Sequence, residues 1–140
     1  MQTYVLRMLH QANVAETVAN WLNKQSTVED VCFPTLLTGK DKDLYEKQMT
    51  GPSAMIAFKI KGADEKSAFK FLDALKLIVP AVSLGATRTL ANHPASWTHS
   101  DIMADEQLKI GITPNLIRLS VGIENPEDLI ADLAQALEAV

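Results

Sequence analysis

Residues 55–61 read Met-Ile-Ala-Phe-Lys-Ile-Lys, and their strict alternation constrains the fold more than any other feature of the chain. Ile56, Phe58 and Ile60 fall on one side, Lys59 and Lys61 on the other, so this is a strand with one buried face. Leu116 to Val121 repeats the pattern: Ile117, Leu119 and Val121 share a face, while Arg118 shares the other with Leu116 and Ser120. Two such strands call for a sheet covered by something apolar.

The covering elements are helices. From about Gln2 to Lys24, Val5, Met8, Leu9, Ala12, Ala19 and Leu22 recur at helical spacing, and Val14, Val18 and Trp21 form a second apolar line. A helix with two apolar faces packs against two things, one of them outside its own domain. Ala63 to Leu75 carries Ala68, Phe69, Leu72 and Leu75 on one stripe behind the N-cap candidate Asp64. Asn125-Pro126-Glu127-Asp128 opens a final helix with a cap, a proline in the first turn and two acids, followed by Leu129, Ile130, Leu133, Ala134 and Leu137. Asp41 to Met49 is a weaker, polar helix. Val28 to Phe33, stopped by Pro34, and Val79 to Leu84, broken by Gly85, read as further strands. Thr35 to Lys40 reads as loop, Gly51-Pro52 as a turn, and Ala86 to Met103 as a long aperiodic loop of the kind that carries function. The expectation is α+β: a small, mainly antiparallel sheet of about four strands with helices packed on one face.

Bulk properties exclude several classes. A chain of 140 residues suits one domain. A net charge of −4, with 13 basic residues scattered among 17 acidic ones, gives no footprint for nucleic acid. No run approaches the roughly 20 apolar residues of a membrane span, and the N-terminus has no signal-peptide apolar run. A single cysteine, Cys32, forbids an intrachain disulfide and reads as a core residue in a reducing, cytoplasmic setting.

Among candidate chemical groups Arg118 stands first. A guanidinium on a short apolar strand needs an anion, and its planar fork suits a carboxylate. Two readings stand open: a ligand carboxylate, or a structural ion pair with a core Asp or Glu. Ser83 places a hydroxyl at a strand end before Gly85, which is also how an ordinary turn looks. His93 and His99, six apart, match no zinc spacing, so capping and loop bonds are their expected roles. His10 is expected to pack, and Trp97 to be a buried anchor.

Three segments together resemble one family. Ala81-Val82-Ser83-Leu84-Gly85, Thr89 to His99 (Thr-Leu-Ala-Asn-His-Pro-Ala-Ser-Trp-Thr-His), and Ile117-Arg118-Leu119-Ser120-Val121-Gly122-Ile123-Glu124 are similar to the C-terminal region of the pyridoxal-phosphate enzymes of Cys/Met metabolism. That family includes methionine γ-lyase, cystathionine γ-lyase, cystathionine γ-synthase and the O-acylhomoserine sulfhydrylases. Leu6-Arg7-Met8 resembles the start of the helix joining its two domains, and Asp128 to Leu133 its closing helix. The resemblance implies that residues 1–140 are the small C-terminal domain of a fold-type I enzyme, beginning with the inter-domain helix and without the cofactor-binding large domain. It assigns Arg118 to the substrate α-carboxylate, Ser83 to the same carboxylate, and Thr98 to the supporting loop. No lysine here follows the family's Ser/Thr-Thr, and the ring-stacking aromatic and the pyridine-nitrogen aspartate have no counterpart. No catalytic residue, covalent cofactor residue or metal ligand is therefore expected in this chain.

Pyridoxal phosphate belongs to the intact enzyme. Its partners would be a sulfur-containing amino acid, the large domain and further copies in a homo-oligomer. Val82 stands where cystathionine-handling members often carry Glu, and Ser83 where sulfhydrylases often carry Asn, so methionine γ-lyase is the nearest subtype. Trp97, where Met or Thr is commoner, would narrow the pocket. The alternatives are the other subtypes, or a stand-alone module that binds a ligand through Arg118 without catalysis.

Overall fold

The computed structural model describes residues 3–140; the expected helix start at Gln2 lies outside them. Helix α1 runs Tyr4–Leu22, followed by strand β1 Val28–Cys32, a 3-10 turn at Pro34–Leu36, α2 Gly39–Gln48, β2 Met55–Ile60, α3 Glu65–Ala74, β3 Val79–Pro80, β4 Leu90–Asn92, α4 Pro94–Trp97, α5 Ala104–Lys109, β5 Leu116–Ser120 and α6 Pro126–Leu137. The sheet has five strands in the order β1-β2-β5-β4-β3. Every pairing is antiparallel except β3 with β4.

The alternation works as read. Ile56, Phe58 and Ile60 of β2, and Ile117 and Leu119 of β5, are buried together with Val14, Val18 and Leu22 of α1, Phe71 and Leu72 of α3, and Leu129 and Leu133 of α6. Each large side chain so buried contributes about 1.5–3 kcal/mol. Phe58 and Phe71 meet edge to face, centroids 5.8 Å apart. The caps also form. Asp64 accepts from the Ser67 N–H at 2.8 Å, and that backbone bond, chiefly, holds its carboxyl below the ordinary range. Asn125 accepts from the Glu127 N–H at 3.0 Å.

Several expectations are corrected. The segment read as one loop, 86–103, contains β4 and α4. Three residues buried on both faces show no alternation, and four residues of helix show no period, so neither left a pattern. The strand expected at Val79–Leu84 stops at Pro80. Pro80 has no N–H to donate, and after Ala81 donates to the Ala91 carbonyl the chain leaves the sheet for Gly85, at φ +73°. Helix α2 starts two residues early and buries nothing. Cys32 is exposed rather than core, because β1 is an edge strand and Cys32 points away from the helices, opposite Ala57. His10 is exposed, and Trp97 is 36% exposed, so neither packs as an anchor.

On α1 the two apolar lines bury together in one core: Ala12, Ala19 and Leu22 of the first and Val14 and Val18 of the second are all buried. The contrast runs along the helix, whose first turns leave Val5 66%, Leu6 72% and Leu9 61% exposed.

A buried carboxylate fixes the entry to β3. Asp132 of α6 accepts the backbone N–H groups of Lys76, Leu77 and Ile78 at 2.9, 2.9 and 2.8 Å, and Gln135 donates to the Ala74 carbonyl at 2.7 Å. Asp132→Ala should cost about 3 kcal/mol or more in urea denaturation, since it orphans three amides at once. A loss under about 0.5 kcal/mol, the range of ordinary surface changes, would refute that role.

Candidate functional site

Arg118 lies at the middle of the middle strand. In the register its neighbours are Ala57 on β2 and Asn92 on β4. The same face carries Met55 and Lys59 on β2 and Leu116, Ser120 and Leu90 around it. This face changes character across the sheet: Met55 and Ala57 are half-buried, whereas Leu90, Asn92 and Ser120 are buried. Arg118 stands on the boundary and is itself half-buried.

Its electrostatic situation bears on the two readings. The ion pairs among the described residues are Lys42–Glu46 and Lys59–Asp30, and neither involves Arg118. Its Nε is buried without a hydrogen-bond partner there. A structural ion pair with a core carboxylate is therefore absent among those residues. A guanidinium in this state keeps hydrogen-bonding capacity that a planar carboxylate matches in shape and charge.

Ser83 is exposed, on the segment that follows β3. Strand β4 stands between β3 and β5, so the strand that leads to Ser83 does not pair with the strand of Arg118. Val82 beside it is 53% exposed and carries no charge. Thr98 caps α4: its hydroxyl lies 3.4 Å from the Pro94 carbonyl oxygen and 2.8 Å from Nδ1 of His99. It supports its loop and is committed to local bonds. His93 is fully buried, with its ring nitrogens 2.7 Å from the Ser96 hydroxyl and 2.8 Å from the Pro114 carbonyl. These are the loop bonds expected of it.

Residues that sequence reasoning passed over hold the Ser83 segment in place. Gln11, fully buried on α1, donates through Nε2 to the carbonyls of Ala86 (2.7 Å) and Val121 (2.9 Å). Arg7 donates to the Gly85 carbonyl at 3.2 Å. Glu124 accepts from the Thr89 N–H at 2.7 Å and the Thr89 hydroxyl at 2.8 Å, and Thr89 Oγ1 accepts from the Gly122 N–H at 2.9 Å. A Cβ on Gly122 would overlap the Thr87 carbonyl oxygen and the Arg88 backbone, so only glycine admits this approach. Gln107 spans the next loop, donating to Ala95, His99 and Ile102. The available signal was a glutamine three residues after Met8 and four before Ala15, on an otherwise apolar stripe; a polar residue there has to find buried partners.

Fold and site define an α+β domain that presents an unpaired arginine from the centre of its sheet. The sequence profile described as Cys/Met metabolism PLP-dependent enzyme matches residues 1–138, and the chain belongs to that family. It is 46% identical over 140 residues to the L-methionine gamma-lyase of Fusobacterium nucleatum, covering 100% of this chain and 35% of that protein. It is 40% identical to the cystathionine gamma-lyase of Dictyostelium discoideum, over 99% of this chain and 35% of that one. The crystal structure of cystathionine gamma-lyase from Lactobacillus plantarum complexed with L-serine superposes with a TM-score of 0.92 at 35% identity, over 100% of this chain and 36% of that one. The chain thus spans about a third of the length of these relatives.

The residues present fit a carboxylate better than they fit the family's cofactor. Lys59 lies on the Arg118 face, but its Nζ is 3.4 Å from Asp30 Oδ2 and so is engaged rather than free as a nucleophile. Mixing this chain with pyridoxal phosphate and reducing with borohydride should leave no stoichiometric adduct by mass. One adduct per chain on a single lysine would overturn this.

Proposed function

We propose that this chain works as the substrate-binding C-terminal domain of a larger cytoplasmic pyridoxal-phosphate enzyme of sulfur amino-acid metabolism, with methionine γ-lyase as its nearest type. The observation that carries the reading is Arg118: central, half-buried, and without an ion pair among the described residues. The α-carboxylate of an amino acid has the charge and the planar two-oxygen shape that the fork accepts. Ser83 supplies a hydroxyl at the margin of the same region, and Thr98 stiffens the loop that follows β4.

The remaining chemistry comes from the cofactor, which acts as an electron sink for loss of the γ-substituent. The lysine that anchors it and the groups around its ring would belong to the large domain. This chain's own part is to bind and orient the amino acid by its carboxylate. Val82, uncharged and exposed next to Ser83, favours a substrate whose side chain lacks a distal amine. That preference separates methionine from cystathionine.

The exposed apolar flank of α1 supports a second element of the proposal. Tyr4, Val5, Met8 and Leu9, with Pro52, line a groove of about 390 Å³ that suits the large domain and further copies of the enzyme. The isolated chain should self-associate through this flank. Light scattering should show species heavier than a monomer, and the pair Leu6→Glu and Leu9→Glu should return it to monomer. A wild-type chain that runs as a monomer would refute the idea.

In the intact enzyme Arg118→Ala should lose about 2–5 kcal/mol of transition-state binding, mostly as a raised KM for the amino acid. Arg118→Lys should recover only part, because the fork is lost. An unchanged kcat/KM would refute the role. Loss of thermal stability without selective loss of amino-acid binding would mark Arg118 as structural.

A further inference from the structure

Asn92 is 97% removed from solvent at 3% exposure, and its Oδ1 is buried without a hydrogen-bond partner among the described residues. Directly across the β4–β5 ladder is Arg118, whose Nε is the other buried, partnerless group on this face. Directly opposed residues of an antiparallel pair carry their Cβ atoms about 4.5–5.5 Å apart, within reach of both side chains. One group is an acceptor lacking a donor, the other a donor lacking an acceptor, and in this structure the two do not bond each other. Burial deprives both of water, so leaving them unmatched is costly, and a small side-chain rotation that pairs them satisfies both.

We propose that Asn92 is the positioning residue for Arg118: its amide oxygen takes the Nε proton and leaves the two terminal nitrogens, as a parallel pair, for the carboxylate. This rests on the substrate-carboxylate reading above and refines it. A guanidinium can offer a carboxylate either its side, through Nε and one Nη, or its end, through both Nη atoms. With Nε held by Asn92, only the end-on approach remains. The buried side of the face, formed by Leu90, Asn92 and Ser120, anchors the stem of the fork, and the half-buried side toward Met55 and Ala57 receives the ligand. The sheet thereby sets the orientation in which an amino acid is presented, through a residue that need not touch it.

The chain holds three arginines, Arg7, Arg88 and Arg118, so three Nε–H signals are expected in a 15N–1H spectrum, and Arg118→Lys identifies the third. That signal should be shifted from the other two and exchange slowly with solvent. Asn92→Leu, close in size but without an acceptor, should abolish the protection, while Asn92→Asp should retain it. A signal unchanged in Asn92→Leu would overturn the proposal; if that variant does not fold, Asn92→Ala decides in the same way.

In the intact enzyme Asn92→Leu should raise KM for the amino acid roughly tenfold with kcat little changed, the effect of losing one bond to a charged group. Where Arg118→Ala impairs amino-acid binding, a KM that does not move in Asn92→Leu would overturn the positioning role. The two readings fail separately. If Arg118→Ala spares amino-acid binding while the Nε signal still depends on Asn92, the function is wrong and the pairing stands. If Arg118→Ala abolishes binding and Asn92→Leu leaves both signal and KM alone, the function stands and the positioning role is wrong.

Discussion

The burial of one face of β2 and β5 is the constraint on which the rest of this structure depends. Ile56, Phe58, Ile117 and Leu119 meet in register beneath α1, α3 and α6. A slip of one residue would turn all of them to the other side and bring Arg118 into the core. The cost of burying a guanidinium without an anion and the gain from burying four large apolar side chains therefore point the same way. The position of the arginine follows from the hydrophobic core.

Around that frame, a few polar side chains do the fine positioning. Asp132 gathers three backbone amides from the turn into β3, and Gln11 and Arg7 reach from α1 to the carbonyls of residues 85 and 86. Glu124 and Thr89 close the other side of the same segment. The segment bearing Ser83 has no regular structure, so these bonds replace a ladder in holding it. Helix α1 takes part in both tasks. Its buried half packs on the sheet, and its residues 7 and 11 hold the loop beside the proposed carboxylate site. A partner docked on its exposed flank would act on the same helix that ties down Ser83.

The relatives are about three times the length of this chain, and the division of labour follows from what its residues can do. The role proposed for Arg118, Ser83 and Val82 is substrate recognition. Electron withdrawal needs a group that these side chains do not supply. Binding specificity and chemistry thus fall to different parts of the enzyme proposed here.

Much of this was legible from the residues alone, and the parts that were not share a reason. The alternation in residues 55–61 and 116–121, the caps at Asp64 and Asn125, and the two apolar lines of α1 each repeat or mark a boundary within a few residues, so local sequence determined those elements and placed Arg118 on the face away from the core. The three residues of β4, the exposure of Cys32 and the parallel pairing of β3 leave no such local trace. They arise only when distant strands meet: β4 is a strand because Arg118 and Leu119 stand opposite Asn92 and Ala91, and Cys32 is exposed because β1 ends the sheet. For the same reason the resemblance could name Arg118, while its want of an ion pair among the described residues and its place opposite Asn92 were decided by tertiary structure, since a side chain's neighbours depend on residues far away in the chain.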